Sequence, residues 1–283
     1  MKPFLIGILL SAILFVPAFA GKKTAKEEAG LLGLVRTVHT ESVEFSNKSG
    51  QWIEKVKFKQ TMSYDQKGNR VGRINYNPDG TFRSEERSNI TYDKHGRITE
   101  INSADNLGSF GGKKIYKYDS KGNISEETNY INDGSMGSRN AYVYDENGNI
   151  SEELHYAHDD SFVSKRVYKY APEGYVAEEA VYDSRSKLLR KKEVAYDAKG
   201  NKTVVHYGGK GSATDKEVFT YDTKGNISEI LFYKPDGSID GKNTYSYEYD
   251  SVGNWIKQRE FHKGKVEWLR VTDRTITYYS RAE

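Results

Sequence analysis

The chain contains no cysteine. That absence excludes disulfides, cysteine-attached haem, thiol nucleophiles and thiolate metal sites. It also removes the residue that a lipoprotein carries at its cleavage point, so no lipid anchor is expected. An excess of charge of one sign is missing as well. The 43 basic and 40 acidic residues leave a formal charge of +3. They are interleaved, as in Glu126-Glu127 and Lys191-Lys192-Glu193. Nucleic-acid binding calls for a segregated basic stripe, and none is present. No glycine-rich phosphate loop, nucleophile elbow or zinc-helix motif occurs, so no cofactor is expected.

Apolar runs are confined to the start. Lys2 supplies a positive charge, Phe4 to Val16 an apolar stretch, and Pro17-Ala18-Phe19-Ala20 a small-residue cleavage site. This reads as a signal peptide over residues 1–20, too short for the roughly 20 apolar residues of a membrane-spanning helix. Export is expected, to the periplasm, cell surface or medium. A cysteine-free exported chain with this cleavage pattern looks bacterial.

Five prolines against twenty-two tyrosines describe a polar, aromatic-rich chain. Disordered segments lack aromatics, so a folded sheet with one wet face is the better reading. Self-similarity supplies the architecture. Tyr-x-x-x-Gly turns start at Tyr64, Tyr92, Tyr118, Tyr144, Tyr170, Tyr196, Tyr221 and Tyr249, about 26 residues apart. A second series, Tyr76, Ala104, Tyr130, Tyr156, Tyr182, Tyr207, Tyr233 and Phe261, follows by 12 residues, or by 11 at Tyr207. Each unit therefore holds two turns and two strands. Aspartate at the first turn position and glycine at the fourth fit a type I turn with a bulge, a favoured hairpin loop.

This loop predicts a register. Tyr118 should oppose Ile124 and Tyr116 should oppose Glu126. The same count pairs Tyr76 with Phe82, Tyr156 with Phe162 and Tyr249 with Trp255. One face then carries Tyr116, Tyr118, Ile124, Glu126, Tyr130, Met136, Tyr142, Tyr144, Ile150, Glu152, Leu154 and Tyr156. The other carries Lys117, Ser125, Glu127, Asn129, Ser151, Glu153 and His155. About eighteen strands result, too many for a flat open sheet. The expected fold is all-β: a long antiparallel meander of ~26-residue two-hairpin repeats, curled into a spiral, shell or self-packed sheet. Residues 21–33 read as an N-terminal linker. Residues 34–283 read as a single repeat domain, with repeats from about 46 and a cap strand near 265–279. A membrane barrel needs an apolar lipid-facing band. The presence of Glu126, Glu152, Glu178 and Arg166 on the tyrosine face argues against an integral membrane protein.

The motif Tyr-Asp-x-x-Gly-Asn resembles the YD-repeat, or RHS-repeat, superfamily of exported bacterial proteins. The matching residues are Tyr64-Asp65/Gly68-Asn69, Tyr92-Asp93/Gly96-Arg97, Tyr118-Asp119/Gly122-Asn123, Tyr144-Asp145/Gly148-Asn149, Tyr196-Asp197/Gly200-Asn201, Tyr221-Asp222/Gly225-Asn226 and Tyr249-Asp250/Gly253-Asn254. Tyr170 keeps its tyrosine and Gly174 but has Ala171 and Tyr175. The resemblance implies a β-sheet spiral that can form a hollow shell, often with a C-terminal toxin domain. Nineteen residues follow Gly264, which leaves no room for one. A short stand-alone member is expected.

The glutamates Glu100, Glu126, Glu152, Glu178 and Glu229 recur at one repeat position. Glycoside hydrolysis needs one distinguished pair of carboxylates, and here every repeat carries the same residue. Tyrosines can stack on sugar rings, each offering a flat face and a polar tip. The binding surface expected from sequence is Tyr116, Tyr142 and Tyr168 with Glu126, Glu152 and Glu178, and no residue is named as catalytic. The expected function is a non-enzymatic exported structural or binding module at the cell envelope, with polysaccharide or an envelope protein as partner. The alternatives are a cell-wall glycan-active enzyme using one or two repeat glutamates, and a protein-binding scaffold using exposed strand edges. His155 and His158 beside Asp159-Asp160 form the one candidate metal cluster, but its turn lacks a second set of ligands, and no metal site is expected.

Overall fold

Local structure begins with the repeated turn. The Asp119 amide donates to the Asn123 carbonyl at 2.8 Å, and the Gly122 amide donates to the Asp119 carbonyl at 3.1 Å. Gly122 adopts φ +88°, the left-handed region that a bulged hairpin loop requires. The Asp119 carboxylate ties the loop together, accepting from the amides of Lys121 at 2.9 Å and Asn123 at 2.8 Å. Asp145 repeats these contacts with Asn147 and Asn149, and the Asn149 amide bond holds its carboxyl below the usual range. At Gly148, φ +81°, an added Cβ would meet nothing within 4 Å. Gly148→Ala should therefore cost only backbone strain, about 1–2 kcal/mol. Urea unfolding should show a lower midpoint at unchanged slope, and an unshifted midpoint would count against this reading of the turn.

The computed structural model describes residues 23–106, 110–265 and 267–280. The expected signal peptide over residues 1–20 lies outside them. One short helix, α1 (Ala25–Glu28), precedes eighteen strands. The first six are β1 (Val35–Lys48), β2 (Gln51–Tyr64), β3 (Arg70–Tyr76), β4 (Phe82–Tyr92), β5 (Ile98–Asp105) and β6 (Phe110–Tyr118). The next six are β7 (Ile124–Tyr130), β8 (Met136–Tyr144), β9 (Ile150–Tyr156), β10 (Phe162–Tyr170), β11 (Val176–Asp183) and β12 (Leu188–Tyr196). The last six are β13 (Lys202–Gly208), β14 (Ala213–Tyr221), β15 (Ile227–Tyr233), β16 (Ile239–Tyr249), β17 (Trp255–Lys263) and β18 (Trp268–Tyr278).

Each strand pairs antiparallel with the next, and β18 pairs with β1 from Val35↔Tyr278 to Ser46↔Trp268. The meander is thus a closed barrel. Among the described strands no edge is free, so the protein-scaffold reading, which relied on exposed edges, loses its surface. Every substantial strand–strand contact is between hydrogen-bonded neighbours, and closed barrels of about 16–18 strands are too wide for side chains to fill. Eighteen strands at ~4.8 Å spacing give a circumference of about 86 Å and a diameter of about 27 Å before tilt. The barrel is hollow.

The predicted pairs next to the turns hold: Tyr118↔Ile124, Tyr76↔Phe82, Tyr156↔Phe162 and Tyr249↔Trp255. Beyond them the predicted register fails. A β-bulge follows the Tyr118↔Ile124 pair, so Lys117 opposes Glu126 and Tyr116 opposes Glu127. One extra residue moves every later side chain to the opposite face. Glu126, Glu152 and Tyr130 therefore leave the Tyr116 face, while Glu127, Glu153, Asn129 and His155 join it. Tyr142 opposes Glu153 and Tyr168 opposes Glu179 in the same way. The hairpin of β12 and β13 has no such shift. It is also the repeat in which Tyr207 follows Tyr196 by 11 residues and not 12, and the missing residue is the bulge.

The Tyr116 face is concave. Arg274 of β18, on this face, lies within electrostatic reach of Tyr64 of β2 and Tyr247 of β16. Glu127, Gln258 and Glu260 on this face are buried, whereas the side chains of Lys117 and Lys169 on the other face are 67% and 68% exposed. The convex face carries ordered pairs of its own. Lys113, Arg139, Lys191 and Lys216 lie over the rings of Tyr130, Tyr156, Tyr207 and Tyr233, at 3.9 to 4.9 Å from the centroids.

The segment expected as a linker closes part of one barrel end. Thr24 caps α1 with Glu27 answering as a capping box. The Lys26 amide donates to Gly68 at 2.9 Å, and Leu32 exchanges hydrogen bonds with the Asn254 side chain. Leu31, Val35, Val38 and Tyr64 form the main apolar cluster, with Ala25, Ala29, Met62, Ile276 and Tyr278 around it. Among the described residues, no helix is long and apolar enough to cross a membrane.

Candidate functional site in the barrel lumen

The motif tyrosines are positioned by their neighbours one repeat back. The hydroxyls of Tyr118, Tyr144 and Tyr170 donate to the carbonyls of Ile98, Ile124 and Ile150 at 2.6, 2.8 and 2.9 Å. Those of Tyr92 and Tyr249 donate instead to the turn aspartates Asp65 and Asp222, and Tyr278 does so to Asp250. Turn cations lie above the following ring: Lys67 over Tyr92 at 3.6 Å and Lys224 over Tyr249 at 3.7 Å. The Tyr-Asp signature is thus a staple between consecutive hairpins. It holds the wall together and leaves the lumen to the residues further along each strand.

Those residues form a ladder. Tyr116 faces Glu127, Tyr142 faces Glu153, and Tyr168 faces Glu179. Burial pushes all three tyrosine hydroxyls above their ordinary pKa, with the nearby carboxylates adding to the rise at Tyr116 and Tyr142. Each glutamate is matched by a cation. Lys114 meets Glu127 at 2.7 Å, Arg166 meets Glu153 at 3.0 Å, and Lys192 meets Glu179 at 2.5 Å. Arg166 also approaches Glu179 at 3.1 Å, a charge contact without hydrogen-bond alignment. Further round, Glu260 accepts from Tyr245, Asn243 and Arg270. The lumen is lined by polar, ionised and aromatic groups together.

The six residues predicted as a binding surface are divided by this geometry. Tyr116, Tyr142 and Tyr168 face the lumen. Glu126, Glu152 and Glu178 face outward, paired with Lys117 at 2.7 Å, Lys165 at 3.3 Å and Lys169 at 2.7 Å. Their places beside the tyrosines are taken by Glu127, Glu153 and Glu179, the second glutamate of each Glu-Glu pair. The signal that distinguishes them is the 12-residue spacing, which carries the bulge. His155 also faces the lumen, where its Nδ1 lies 2.8 Å from the Asn140 side-chain oxygen. Among the described residues, no group of His, Asp or Glu side chains could hold a metal ion. A groove of about 300 Å³ lies between neighbouring hairpins, beside Asp119, Lys121, Tyr144 and Asp145. It is formed by the turns themselves.

Residues 26–200 match the sequence profile of the Teneurin YD-shell family. Curated protein sequences contain no match. Among solved structures, a porin-like protein from Bacteroides uniformis is similar at 11% identity and a TM-score of 0.49, over 86% of this chain and 96% of the other. The complex titled TcdB2-TccC3-Cdc42 is similar at 14% identity and a TM-score of 0.34, over 82% of this chain and 15% of the other. A porin-like protein from Bacteroides vulgatus is similar at 11% identity and a TM-score of 0.37, over 88% of this chain and 99% of the other.

Proposed function

The chain belongs to the Teneurin YD-shell family, and from that premise we propose that it is a non-enzymatic exported module of the bacterial cell envelope whose lumen binds polysaccharide. The observation that carries the reading is a hollow barrel whose inner wall repeats one tyrosine–glutamate–cation set. A repeating wall suits a repeating ligand, because weak equivalent contacts add up along a polymer. Tyrosine edges, carboxylates and amides match the mixed apolar and hydroxyl faces of sugars.

The glycan-cleaving alternative has less support. Glu127, Glu153 and Glu179 are each held by a cation, and neighbouring equivalents are two strands, about 10 Å, apart. No one of them is set apart as an acid. A lipid-embedded barrel is likewise disfavoured, because the convex wall carries the Glu126, Glu152 and Glu178 ion pairs where an apolar band about 25 Å tall is needed.

The test is retention of the mature chain on immobilised peptidoglycan, capsular and plant polysaccharides. Retention on at least one is expected. The double variant Tyr142→Ala, Tyr168→Ala should weaken it by about tenfold, at roughly 0.7 kcal/mol per lost contact. Glu152→Gln on the convex wall should leave it unchanged. Absence of retention on every polysaccharide would overturn the proposal.

A further inference from the structure

The arginines of the concave wall are mostly answered by carboxylates. Arg73 meets Glu86 at 2.6 Å, Arg166 meets Glu153 at 3.0 Å, and Arg270 meets Glu44 at 2.7 Å and Glu260 at 3.0 Å. Arg274 of β18 differs. Its guanidinium lies 3.3 Å from the centroid of the Trp255 ring, with the neutral hydroxyls of Tyr64 and Tyr247 as its titratable neighbours. Thr40 of β1 lies opposite Arg274, and Gln60 of β2 lies opposite Thr40 on the same face. Among the described residues, none forms an ion pair or hydrogen bond with it, and its Nε is buried without a partner. Its two terminal nitrogens also lack a hydrogen-bond partner among the described residues, and the side chain as a whole is only partly buried.

This arrangement is unfavourable for the empty protein. A guanidinium partly removed from water and left without a counter-charge loses hydration and gains only the face of one ring in return. Burial lowers its pKa to about 10, a measure of how poorly the surroundings support the charge. Trp255 covers the guanidinium from one side, and the N–H donors of Arg274 are left without acceptors. A planar fork of free N–H donors in a sheltered cavity is the arrangement that recognises carboxylate, sulfate or phosphate oxygens. Arg274 also sits beside the apolar cluster of Val38, Met62, Tyr64 and Ile276, so it marks the end of the lumen that the N-terminal segment covers.

We propose that Arg274 is an anion-recognition point at the covered end of the lumen, taking an anionic oxygen group carried by a saccharide, so that the polymer accepted is acidic. The inference rests on the lumenal polysaccharide reading for the identity of the carrier, while the anion site itself stands on the unanswered guanidinium. Tryptophan stacking holds the donor fork, and the incoming oxygens supply the missing counter-charge with two parallel hydrogen bonds.

The experiment follows the Nε–Hε resonance of Arg274 in arginine-labelled mature protein, assigned by its loss in Arg274→Lys. Sodium sulfate, sodium glucuronate and glucose are titrated at constant ionic strength. Sulfate and glucuronate should shift the resonance saturably and glucose should leave it in place. An acidic oligosaccharide such as oligogalacturonate should bind at least tenfold more weakly to Arg274→Met. That variant should also melt a few degrees higher without ligand, because it removes an uncompensated charge. A saturable shift with sulfate but no saccharide retained by the protein would keep the anion site and defeat the polysaccharide reading. Neutral and acidic oligosaccharides bound alike, and unaffected by Arg274→Met, would keep the lumen as a glycan site and overturn the role of Arg274. No anion-specific shift would overturn it outright.

Discussion

Raising the pH from 10 to 12 should unfold this protein in one cooperative step. Burial pushes the hydroxyls of Tyr170, Tyr221 and Tyr247 up to about 12, and those of Tyr116, Tyr142 and Tyr245 go further in the same direction. An unfolded tyrosine ionises near 10. Above that pH the unfolded chain gives up protons that the folded chain keeps, so each pH unit lowers the stability of the fold. The contribution of each raised tyrosine is complete below pH 10 and lost as the pH passes through its folded value. One fully shielded tyrosine is worth about 1.4 kcal/mol per pH unit, and lumen water reduces this. Even at half that value, six such groups remove about 4 kcal/mol per unit, close to the whole stability of an ordinary domain within two units. Lys202 and Arg274, whose cationic forms burial disfavours, work the other way, as two groups against six. Tyrosinate absorbance at 295 nm and far-ultraviolet circular dichroism should change together, between pH 10.5 and 12. Smooth ionisation near pH 10 with the sheet signal intact would show that the lumen is fully wet and that the wall does not depend on these hydroxyls.

Replacing Glu260 should be the most damaging single substitution in the wall. Its carboxylate is almost wholly buried, at 4% exposure. It accepts from the Tyr245 hydroxyl at 2.7 Å, the Asn243 amide at 2.9 Å and Arg270 at 3.0 Å. Arg270 is shared with Glu44 at 2.7 Å, and Asn243 passes the network on to His262 at 2.6 Å. The His262 ring stacks on Trp268 at 5.2 Å, which continues the set towards the strand end. Glu260→Ala leaves a buried hydroxyl, an amide and half a guanidinium without an acceptor, and should cost about 3–5 kcal/mol. Glu260→Gln keeps the shape and one acceptor oxygen but loses the charge, and about half that cost is expected. Chemical denaturation of the two variants beside the parent resolves the difference. Equal stability of all three would show that the network is already satisfied by solvent.

How far the fold was legible in sequence depends on which signal each feature leaves. The turn is written in residue types with few alternatives. Gly122 must adopt positive φ, Asp119 must cap, and Tyr118 must face Ile124, so those features could be read at once. The bulge after that pair leaves almost no trace in residue type, since Ser125, Glu126 and Glu127 are all compatible with either face. Its one trace is length. The repeat from Tyr196 to Tyr207 is a residue shorter, and that is the hairpin without the shift. Missing this moved Glu126, Glu152 and Glu178 to the wrong side of the sheet and hid Glu127, Glu153 and Glu179. Arg274 could not be singled out at all, because its distinction is the absence of a partner, and an absence in space has no counterpart in a linear string.

By itself, then, the sequence determined the repeat, the turn chemistry, the antiparallel meander and the family to which it belongs, because these depend on contacts between residues close along the chain. Closure was decided only by the tertiary structure. It depends on β1 meeting β18, more than two hundred residues apart in the chain, and on twist accumulated over every strand between them. Closure in turn decides which face is concave, and concavity decides which tyrosines, carboxylates and cations can act together. YDENGNISEELHY, the segment from Tyr144 to Tyr156, spells out a turn and the strand after it and is silent about the lumen that its Glu153 helps to line.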